Sequence, residues 1–204
     1  MPAFTFDEAL HTYALDGVRL PSVTQLINGA GIGPDFSMVP RDALEAARAF
    51  GVAVHTACEL DDLGELDDAG TDARVMGCVE AWRRFKRETE AEILATEQRL
   101  YHRTLRYAGT LDGLARLTLA GDARGLWLLD RKTGSEPHAS YGVQLSAYEQ
   151  LLRGQPGADF AAMGRATVHL DESGRYRFHR FTNHSDAACF MSCLALNAWK
   201  EQNK

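Results

Sequence analysis

The chain has 204 residues, of which 45% are hydrophobic and 25% are charged, a composition typical of a globular protein. No stretch approaches 18 consecutive apolar residues, and the N-terminus shows no basic segment followed by an apolar one, so we expect neither a membrane span nor a signal peptide. The four cysteines form no Cys-x-x-Cys pair, which favours a reduced, cytoplasmic protein. A net charge of −6 argues against a protein that coats nucleic acid nonspecifically, but it does not exclude a local basic groove.

The first 92 residues predict a β-hairpin followed by helices. Alternating residues on either side of Asp16-Gly17 predict the hairpin, and Ser22 is a typical N-cap for the short helix that follows. Residues 29–40 are rich in Gly and Pro and predict a loop. Apolar residues at three- and four-residue steps predict helices over 42–63 and 72–92. The acidic stretch between these helices, DDLGELDDAGTD, is expected to be a solvated loop.

The remainder of the chain predicts a sheet with two further helices. Strands are expected at about 94–103, 105–119 with a break near Gly109, 125–131, 162–170 and 175–182. Helices are expected at about 139–152 and 185–202, with the loop RGQPGAD after the first of them. This order predicts an α/β fold with a mixed central β-sheet flanked by helices and an N-terminal β-hairpin. We expect residues 1–204 to form a single domain, with a lead-in over 1–40, helices over 41–92 and the sheet with its flanking helices over 93–204.

The strand at 125–131 ends in an unusual way, because an apolar run leads directly into Asp130-Arg131-Lys132. Asp130 and Lys132 are two positions apart and should point to the same face. Asp112 lies in the preceding strand, and neighbouring strands are about 4.8 Å apart, so the two carboxylates could share one Mg²⁺ ion beside the Lys132 ammonium. Two simpler interpretations remain open: a hairpin turn at Asp112-Gly113, and a solvated strand end at Asp130–Lys132.

Two predicted helices place further polar residues on one face. Gln144 and Tyr148 are four positions apart, and so are Gly51, His55 and Glu59. Glycine at position 51 would allow this helix to approach another backbone closely. Taken alone, a histidine on a helix is more often an ordinary packed side chain than a metal ligand.

Taken in chain order, these patterns resemble the RecB-type branch of the PD-(D/E)XK nuclease superfamily. They are Gly51-x-x-x-His55, Gly109-x-x-Asp112, Asp130-x-Lys132-x-Gly134 and Gln144-x-x-x-Tyr148. The branch includes nuclease domains of bacterial recombination exonucleases, CRISPR-associated nucleases and the mitochondrial genome-maintenance exonuclease. The segments HTYALDGVRLPSVTQLI, YHRTLRYAGTLD and HLDESGRYRFHRF are similar to small phage-type members. The resemblance extends from about residue 10 to residue 200 and implies a restriction-endonuclease-like core.

The resemblance implies a metal centre that holds Mg²⁺ or Mn²⁺. The implied metal ligands are His55, Asp112, Asp130 and the backbone carbonyl of Arg131. Lys132 would orient or activate the attacking water and stabilise charge on the phosphate. Gln144 and Tyr148 would position Lys132 and the nucleic-acid backbone, and Glu59 and Glu97 are candidates for additional or outer carboxylates. Because an imidazole ligand suits Mn²⁺ better than Mg²⁺, we expect Mn²⁺ to support activity at least as well.

Other cofactors are not expected. Some RecB-type nucleases hold an iron–sulfur cluster with four cysteines, three of them after the Gln-x-x-x-Tyr helix. In this chain only Cys189 and Cys193 follow that helix, while Cys58 and Cys78 lie in earlier helices. We therefore expect packing cysteines and no iron–sulfur cluster. The chain has no P-loop motif, so we expect no nucleotide cofactor, and an ATP-driven motor would have to be another protein.

The implied function is that of a metal-dependent deoxyribonuclease, an exonuclease of phage or prophage recombination or replication. Its partners would be single- or double-stranded DNA ends in the bacterial host cytoplasm, together with a recombination or replication protein. Two alternatives are a nuclease-fold module that binds DNA or a partner without cutting, and a restriction-type endonuclease. The second is disfavoured because 204 residues leave no room for a separate recognition domain.

Three groups of basic residues are candidates for the DNA-contacting surface, although the simpler interpretation is that they are ordinary solvated surface. The groups are Arg83, Arg84, Lys86 and Arg87; Arg99, Arg103 and Arg106; and Arg175, Arg177 and Arg180. The members of the third group are expected to share one face of a late strand.

Overall fold

The computed structural model describes residues 3–122, 124–134, 136–155 and 163–203. The strands are β1 (Phe4–Asp7), β2 (Thr12–Leu15), β3 (Val18–Leu20), β4 (Glu92–His102), β5 (Tyr107–Leu117), β6 (Gly125–Lys132), β7 (Gly164–Leu170) and β8 (Tyr176–Arg180). The helices are α1 (Val23–Gly29), α2 (Arg41–Leu63), α3 (Ala73–Glu88), α4 (Ala139–Arg153) and α5 (Asp186–Gln202). Residues 156–159 of the predicted loop RGQPGAD and the predicted strand start at residue 162 lie outside the described residues.

The N-terminal hairpin is confirmed, and it belongs to a small antiparallel sheet ordered β1-β2-β3. Asp16 and Gly17 form the turn between β2 and β3 with φ angles of 52° and 77°, the positive values that a tight hairpin turn of this kind requires. Strand β1 adds a third strand that the prediction of a single hairpin did not include. Ser22 caps α1 as predicted, because its side chain accepts from the Gln25 amide while the Gln25 side chain accepts from the Ser22 amide.

The main sheet has five strands in the order β4-β5-β6-β7-β8. Strands β6 and β7 are parallel and are joined by α4, whereas the other neighbouring pairs are antiparallel. Helices α1, α4 and α5 pack on one face, and α2 and α3 pack on the other. Leu128 and Leu129 are both fully buried and belong to the cores on opposite faces, as expected for a strand covered on both sides. The predicted mixed α/β sheet is therefore present. Within the described ranges, no helix combines the length and apolar character needed to cross a membrane.

The main sheet opens between β5 and β6 at the two aspartates. Their antiparallel pairing ends with Gly113 opposite Leu129, and Asp112 and Asp130 are the next residues on each strand. Beyond this point the amide of Arg131 donates to Asp112 Oδ2 at 2.7 Å, while the end of β6 continues to pair with β7. Because Asp112 and Gly113 both lie inside β5, the alternative of a hairpin turn at these residues is wrong.

Gly109 lies in an unbroken strand, so the predicted break near this residue is also wrong. A Cβ atom at this position would lie 2.7 Å from Tyr148 Cε1 and 3.2 Å from Val23 Cγ2. Glycine is therefore needed for close packing rather than for a turn. Helix α3 ends at Glu88, four residues before its predicted end, because Glu90 adopts a φ of 49° and β4 begins at Glu92.

We expect Gly109→Ala to lower the free energy of unfolding by about 1–3 kcal/mol, since the added methyl group must displace the buried Tyr148 ring. Urea denaturation should show a lower midpoint with an unchanged m-value. Gly113→Ala is a matched control in the same strand, because the nearest atom to its added Cβ would be Leu129 Cβ at an ordinary 3.7 Å. Equal midpoints for the two variants would contradict the packing role of Gly109.

Candidate metal centre

Side chains from three elements meet where the sheet opens. His55 comes from α2, Glu97 from β4 and Asp112 from β5. His55 Nδ1 lies 3.5 Å from both Glu97 Oε1 and Asp112 Oδ2, and the ligand atoms of the three residues all lie within 4.8 Å of one another. Adjacent ligands of an octahedral ion with bonds of about 2.1 Å are about 3.0 Å apart, and opposite ligands are about 4.2 Å apart. One imidazole and two carboxylates at this spacing fit a single divalent cation.

Glu97 reaches this centre through an unusual backbone conformation. Strands β4 and β5 pair on both sides of it, through Thr96 with Gly113 and Gln98 with Leu111, so Glu97 lies opposite Asp112. Its φ of 45° falls in the left-handed region, which is unfavourable for a residue with a side chain. Strained residues of this kind cluster at functional sites. Glu97 was only a secondary candidate in the sequence, yet the structure brings it into the same group as His55 and Asp112.

The two ring nitrogens of His55 have different surroundings. Nε2 lies 2.9 Å from the carbonyl oxygen of Arg131, and since a carbonyl can only accept, Nε2 carries the hydrogen of this bond. Nδ1 is then the nitrogen that faces Glu97 and Asp112, an arrangement typical of metal-binding histidines. Burial alone would lower the pKa of His55, but Asp112 and Glu97 outweigh it, so the pKa is raised. The role of the Arg131 carbonyl as a metal ligand stays a prediction.

Asp130 lies beside this group but is engaged by other side chains. Its carboxylate is almost fully buried, with the Lys132 ammonium 2.7 Å from Oδ2 and Gln144 Nε2 donating to Oδ1 at 3.2 Å. Burial raises the pKa of Asp130, and the charge of Lys132 opposes this effect. Among the described residues, the group within 4.8 Å contains His55, Glu97 and Asp112 but not Asp130. The structure therefore brings together two of the three predicted side-chain ligands, with Glu97 as a third.

Gln144 and Tyr148, one turn apart on α4, form a hydrogen-bonded chain that ends at Asp130. The Gln144 amide spans from the carboxylate to the Tyr148 hydroxyl, which is 3.2 Å away. Tyr148 is buried, and burial raises its pKa well above the ordinary value, so its hydroxyl stays protonated. Tyr141, which was not among the residues singled out in the sequence, places its ring 4.8 Å from the Lys132 ammonium. Its position three residues before Gln144 is the sequence signal that could have identified it.

The side chain of Arg131 supports the centre from the opposite side of β6. Its guanidinium donates to Glu97 Oε1 at 2.8 Å, to the carbonyl oxygen of Asp112 at 3.0 Å and to Asp62 Oδ2 at 3.2 Å. The side chain is 2% exposed and lies over the ring of Trp82. Burial alone would raise the pKa of Glu97, but His55 and Arg131 outweigh it and lower the pKa, so Glu97 stays ionised. The sequence had indicated a role only for the backbone carbonyl of Arg131.

Glu59 lies one helical turn after His55 and is half-buried. Its pKa is raised, first by burial and then by the charge of Glu97, which indicates that it lies near the centre. It does not belong to the described group of possible ligands within 4.8 Å. Its role as an outer carboxylate stays a prediction.

Two members of the first basic group, Arg83 and Lys86, are neutralised by the acidic stretch that was expected to be a solvated loop. Asp61 and Asp62 instead belong to α2, and their side chains are nearly buried. Lys86 lies 2.8 Å from Asp61 and 2.7 Å from Asp62, and Arg83 lies 2.6 Å from Asp61. Arg84 pairs with Glu88 on its own helix. The prediction of a solvated loop is wrong for the two aspartates, because they are the counter-charges of α3.

The third basic group is also paired. Arg175 lies 3.5 Å from Asp171, Arg177 lies 3.7 Å from Glu136, and Arg180 lies 2.5 Å from Asp122. Arg180 stacks over Trp127, on the face of β8 opposite to Arg177. The prediction that all three arginines share one face is therefore wrong.

The four cysteines are divided between the two cores. Cys58 and Cys78 lie in the core beneath α2 and α3, whereas Cys193, with Cys189 packed nearby, lies in the core beneath α1, α4 and α5. Burial raises the pKa of Cys58 to about 12 and that of Cys78 to about 11, so both thiols stay protonated at neutral pH. These positions suit packing, and the expectation of no iron–sulfur cluster stays a prediction.

Comparison with known proteins adds no family assignment. A scan against models of known protein families gives no match, and a search of curated proteins likewise gives none. The activity of the chain is therefore inferred from its own side chains and from the motifs that they form.

Proposed function

We propose that the chain is a divalent-metal-dependent deoxyribonuclease that hydrolyses DNA phosphodiester bonds on a restriction-endonuclease-like core. The observation that carries this proposal is the meeting of His55, Glu97 and Asp112 within 4.8 Å, next to the Asp130–Lys132 ion pair. Carboxylate ligands for a cation and a positive group near the reacting phosphate are together suited to phosphodiester hydrolysis, because they polarise the phosphoryl oxygen, activate water and stabilise the developing charge. Both are available at one edge of the opened sheet, and the four motifs that resemble the PD-(D/E)XK superfamily supply most of these residues.

His55, Glu97 and Asp112 would hold the cation, with Asp130 as a further candidate ligand. A bound Mg²⁺ or Mn²⁺ ion would polarise the phosphoryl oxygen and lower the pKa of water, which supplies a nucleophile at neutral pH. The imidazole of His55 favours Mn²⁺ over Mg²⁺. The Arg131 guanidinium would keep the Glu97 carboxylate ionised and oriented for this role.

Lys132 would contact the reacting groups directly. Its ammonium is held between the Asp130 carboxylate at 2.7 Å and the Tyr141 ring at 4.8 Å, which limits the positions that it can adopt. From there, Nζ can donate a hydrogen bond to the attacking water or to a phosphate oxygen as negative charge develops. Gln144 would keep Asp130 in place by donating to Oδ1, so that Oδ2 stays directed at Lys132.

The phage-like motifs support a narrower proposal, an exonuclease of phage or prophage recombination or replication. Such an enzyme would act on DNA ends in the cytoplasm of a bacterial host, with a recombination or replication protein as a further partner. HTYALDGVRLPSVTQLI, one of the three segments that carry this similarity, forms the hairpin, the Ser22 cap and the start of α1.

The proposal is tested by incubating the purified protein with Mn²⁺ or Mg²⁺ and labelled DNA, single- and double-stranded, linear and circular. We expect metal-dependent loss of linear DNA from its ends, with circles left intact. Asp112→Asn, purified in parallel, should be inactive and excludes a contaminating nuclease. Cutting of circles would indicate an endonuclease. Binding of DNA without cutting of any substrate would instead favour the non-cleaving module.

A further inference from the structure

The three basic groups differ in whether their charges are already neutralised. Among the described residues, the members of the first and third groups face carboxylates, with the exception of Arg87. The second group has no carboxylate within ion-pair distance in the described part of the chain, and all three of its members are exposed. Its residues are Arg99 on β4 and Arg103 and Arg106 in the turn between β4 and β5. This group therefore offers three exposed arginines on one hairpin whose charges no described carboxylate neutralises.

Arg99 lies close to the candidate metal centre. It follows Glu97 by two residues on β4, a separation of about 6.6 Å along a strand. Burial raises the pKa of Glu59 on α2; the charge of Glu97 raises this pKa further, and the charge of Arg99 opposes the rise. The side chains of Glu97 and Arg99 therefore both lie on the side of β4 that faces α2. The Arg99 guanidinium is 4.5 Å above the ring of Phe6 in β1. Stacking on an aromatic ring orders the guanidinium and leaves its N–H groups free for a phosphate.

Aromatic side chains line the same surface. The exposed His11 ring lies edge-on to Phe6 with their centroids 5.2 Å apart, and the half-buried Tyr101 ring lies 4.8 Å from Phe4. Proteins that bind single strands combine a positive track for the backbone with aromatic faces on which unpaired bases stack. The bases of a duplex are stacked on each other, so their faces are not available to aromatic side chains. The combination of charges and rings on β1, on the turn that follows it and on β4 therefore favours a single strand over a duplex.

We propose that single-stranded DNA runs along β4 away from the candidate metal centre, with Arg99 binding the phosphate nearest to that centre. Arg103 and Arg106 bind phosphates farther along, beginning about 13 Å beyond Arg99 at the rise of an extended strand. Phe6 orders Arg99, and His11 offers a stacking face for an unpaired base. That the ligand is DNA rests on the proposed function, whereas the route of the strand along β4 rests on the charged and aromatic side chains described above.

Fluorescence anisotropy of a labelled 20-nucleotide single strand tests the path without cleavage, in EDTA and again in Ca²⁺, over a range of KCl concentrations. We expect Arg99→Gln to weaken binding by about tenfold, as for loss of a hydrogen bond to a charged group. The magnitude of the slope of log K against log[KCl] should fall by about 0.7 for each phosphate that a variant no longer neutralises. We therefore expect a decrease of about 0.7 in Arg99→Gln and about twice that decrease in the double variant Arg103→Gln/Arg106→Gln. Phe6→Leu should weaken binding with a nearly unchanged slope, because it removes a ring and no charge. A duplex of the same sequence should bind less tightly.

Arg84→Gln and Arg177→Gln are matched controls, since each removes one exposed arginine that already faces a carboxylate. Both should retain the wild-type affinity and salt slope. The path is wrong if Arg99→Gln binds like wild type, if the controls lose as much affinity, or if no strand binds in either buffer. A wild-type protein that binds through Arg99 but cuts nothing would contradict the nuclease and leave the path standing. If the wild-type protein cuts DNA but Arg99→Gln binds the strand with unchanged affinity, the path is wrong and the nuclease proposal stands.

Discussion

Replacement of Lys132 by alanine is expected to reduce single-turnover DNA cleavage by about 10²–10³-fold, the usual cost of removing one positioned hydrogen-bond donor to the charge that develops in the transition state. The Lys132 ammonium lies at the opening of the sheet, 2.7 Å from Asp130, and the charge of Asp112 also acts on it. Affinity for Mn²⁺ should be retained or slightly raised, because a neighbouring positive charge is removed. Lys132→Arg should not restore the rate, since the planar guanidinium differs in size and shape from the compact ammonium that Asp130 and Tyr141 hold.

A control is needed because the Lys132→Ala change also leaves the buried Asp130 carboxylate without its counter-charge, which can lower stability. Lys86→Ala is matched to it: Lys86 is 21% exposed against 22% for Lys132, and it too is paired with buried carboxylates. Both variants should show a lower Tm. Only Lys132→Ala should lose cleavage measured per folded molecule. Near-wild-type cleavage by that variant would end the catalytic role proposed for Lys132.

Asp112→Asn is expected to weaken Mn²⁺ binding by more than about 100-fold and to abolish cleavage. Loss of a residue that merely supports a ligand costs about 10–100-fold in metal affinity, so loss of a ligand should cost at least as much. The fold should survive, because the asparagine oxygen can still accept from the Arg131 amide as Asp112 Oδ2 does at 2.7 Å. Isothermal titration with Mn²⁺ gives the affinity, and Tm verifies the fold.

Two further variants separate the ligand set expected from the motifs from the set that the geometry favours. Glu97→Gln should weaken Mn²⁺ binding strongly if the group within 4.8 Å holds the ion, and Asp130→Asn should do so if the motif-based set is right. Asp61→Asn is the control, because its side chain is 8% exposed against 10% for Asp112 and it pairs with Arg83 and Lys86. It should lower Tm and leave Mn²⁺ affinity unchanged. Wild-type affinity in Asp112→Asn would overturn the site.

Much of the element order was predictable because its signals are local. Asp16-Gly17 determines a turn through its own backbone preferences, Ser22 and Gln25 cap a helix within three residues, and Leu128 and Leu129 reveal a strand covered on both faces. The proximity of Asp112 and Asp130 also followed from strand order, because consecutive strands usually pair. In each case the cause lies within a few residues or within one hairpin.

The remaining features of the site depend on partners that are distant in the chain. The left-handed backbone of Glu97 has no local signal, since a glutamate normally avoids it. Gly109 resembles a strand break until the Tyr148 ring is in view. Which arginines are neutralised depends on carboxylates that are distant in the chain, such as Asp62, 69 positions before Arg131. Net charge and residue spacing carry no information about such pairings.

The chain of buried charges from Arg131 through Asp62 and Lys86 to Asp61 has an evolutionary consequence. Each member is held by neighbours of opposite sign, so a substitution that removes one member leaves a largely buried neighbour with one counter-charge fewer. Single substitutions are then harmful in most sequence backgrounds, while the whole set can be exchanged for apolar residues at little cost in stability, with loss of the Arg131 contact to Glu97. Homologous chains should accordingly either keep all four residues or lose them together, and intermediates should be rare. Covariation among these positions would then trace the physical link between α3 and Glu97.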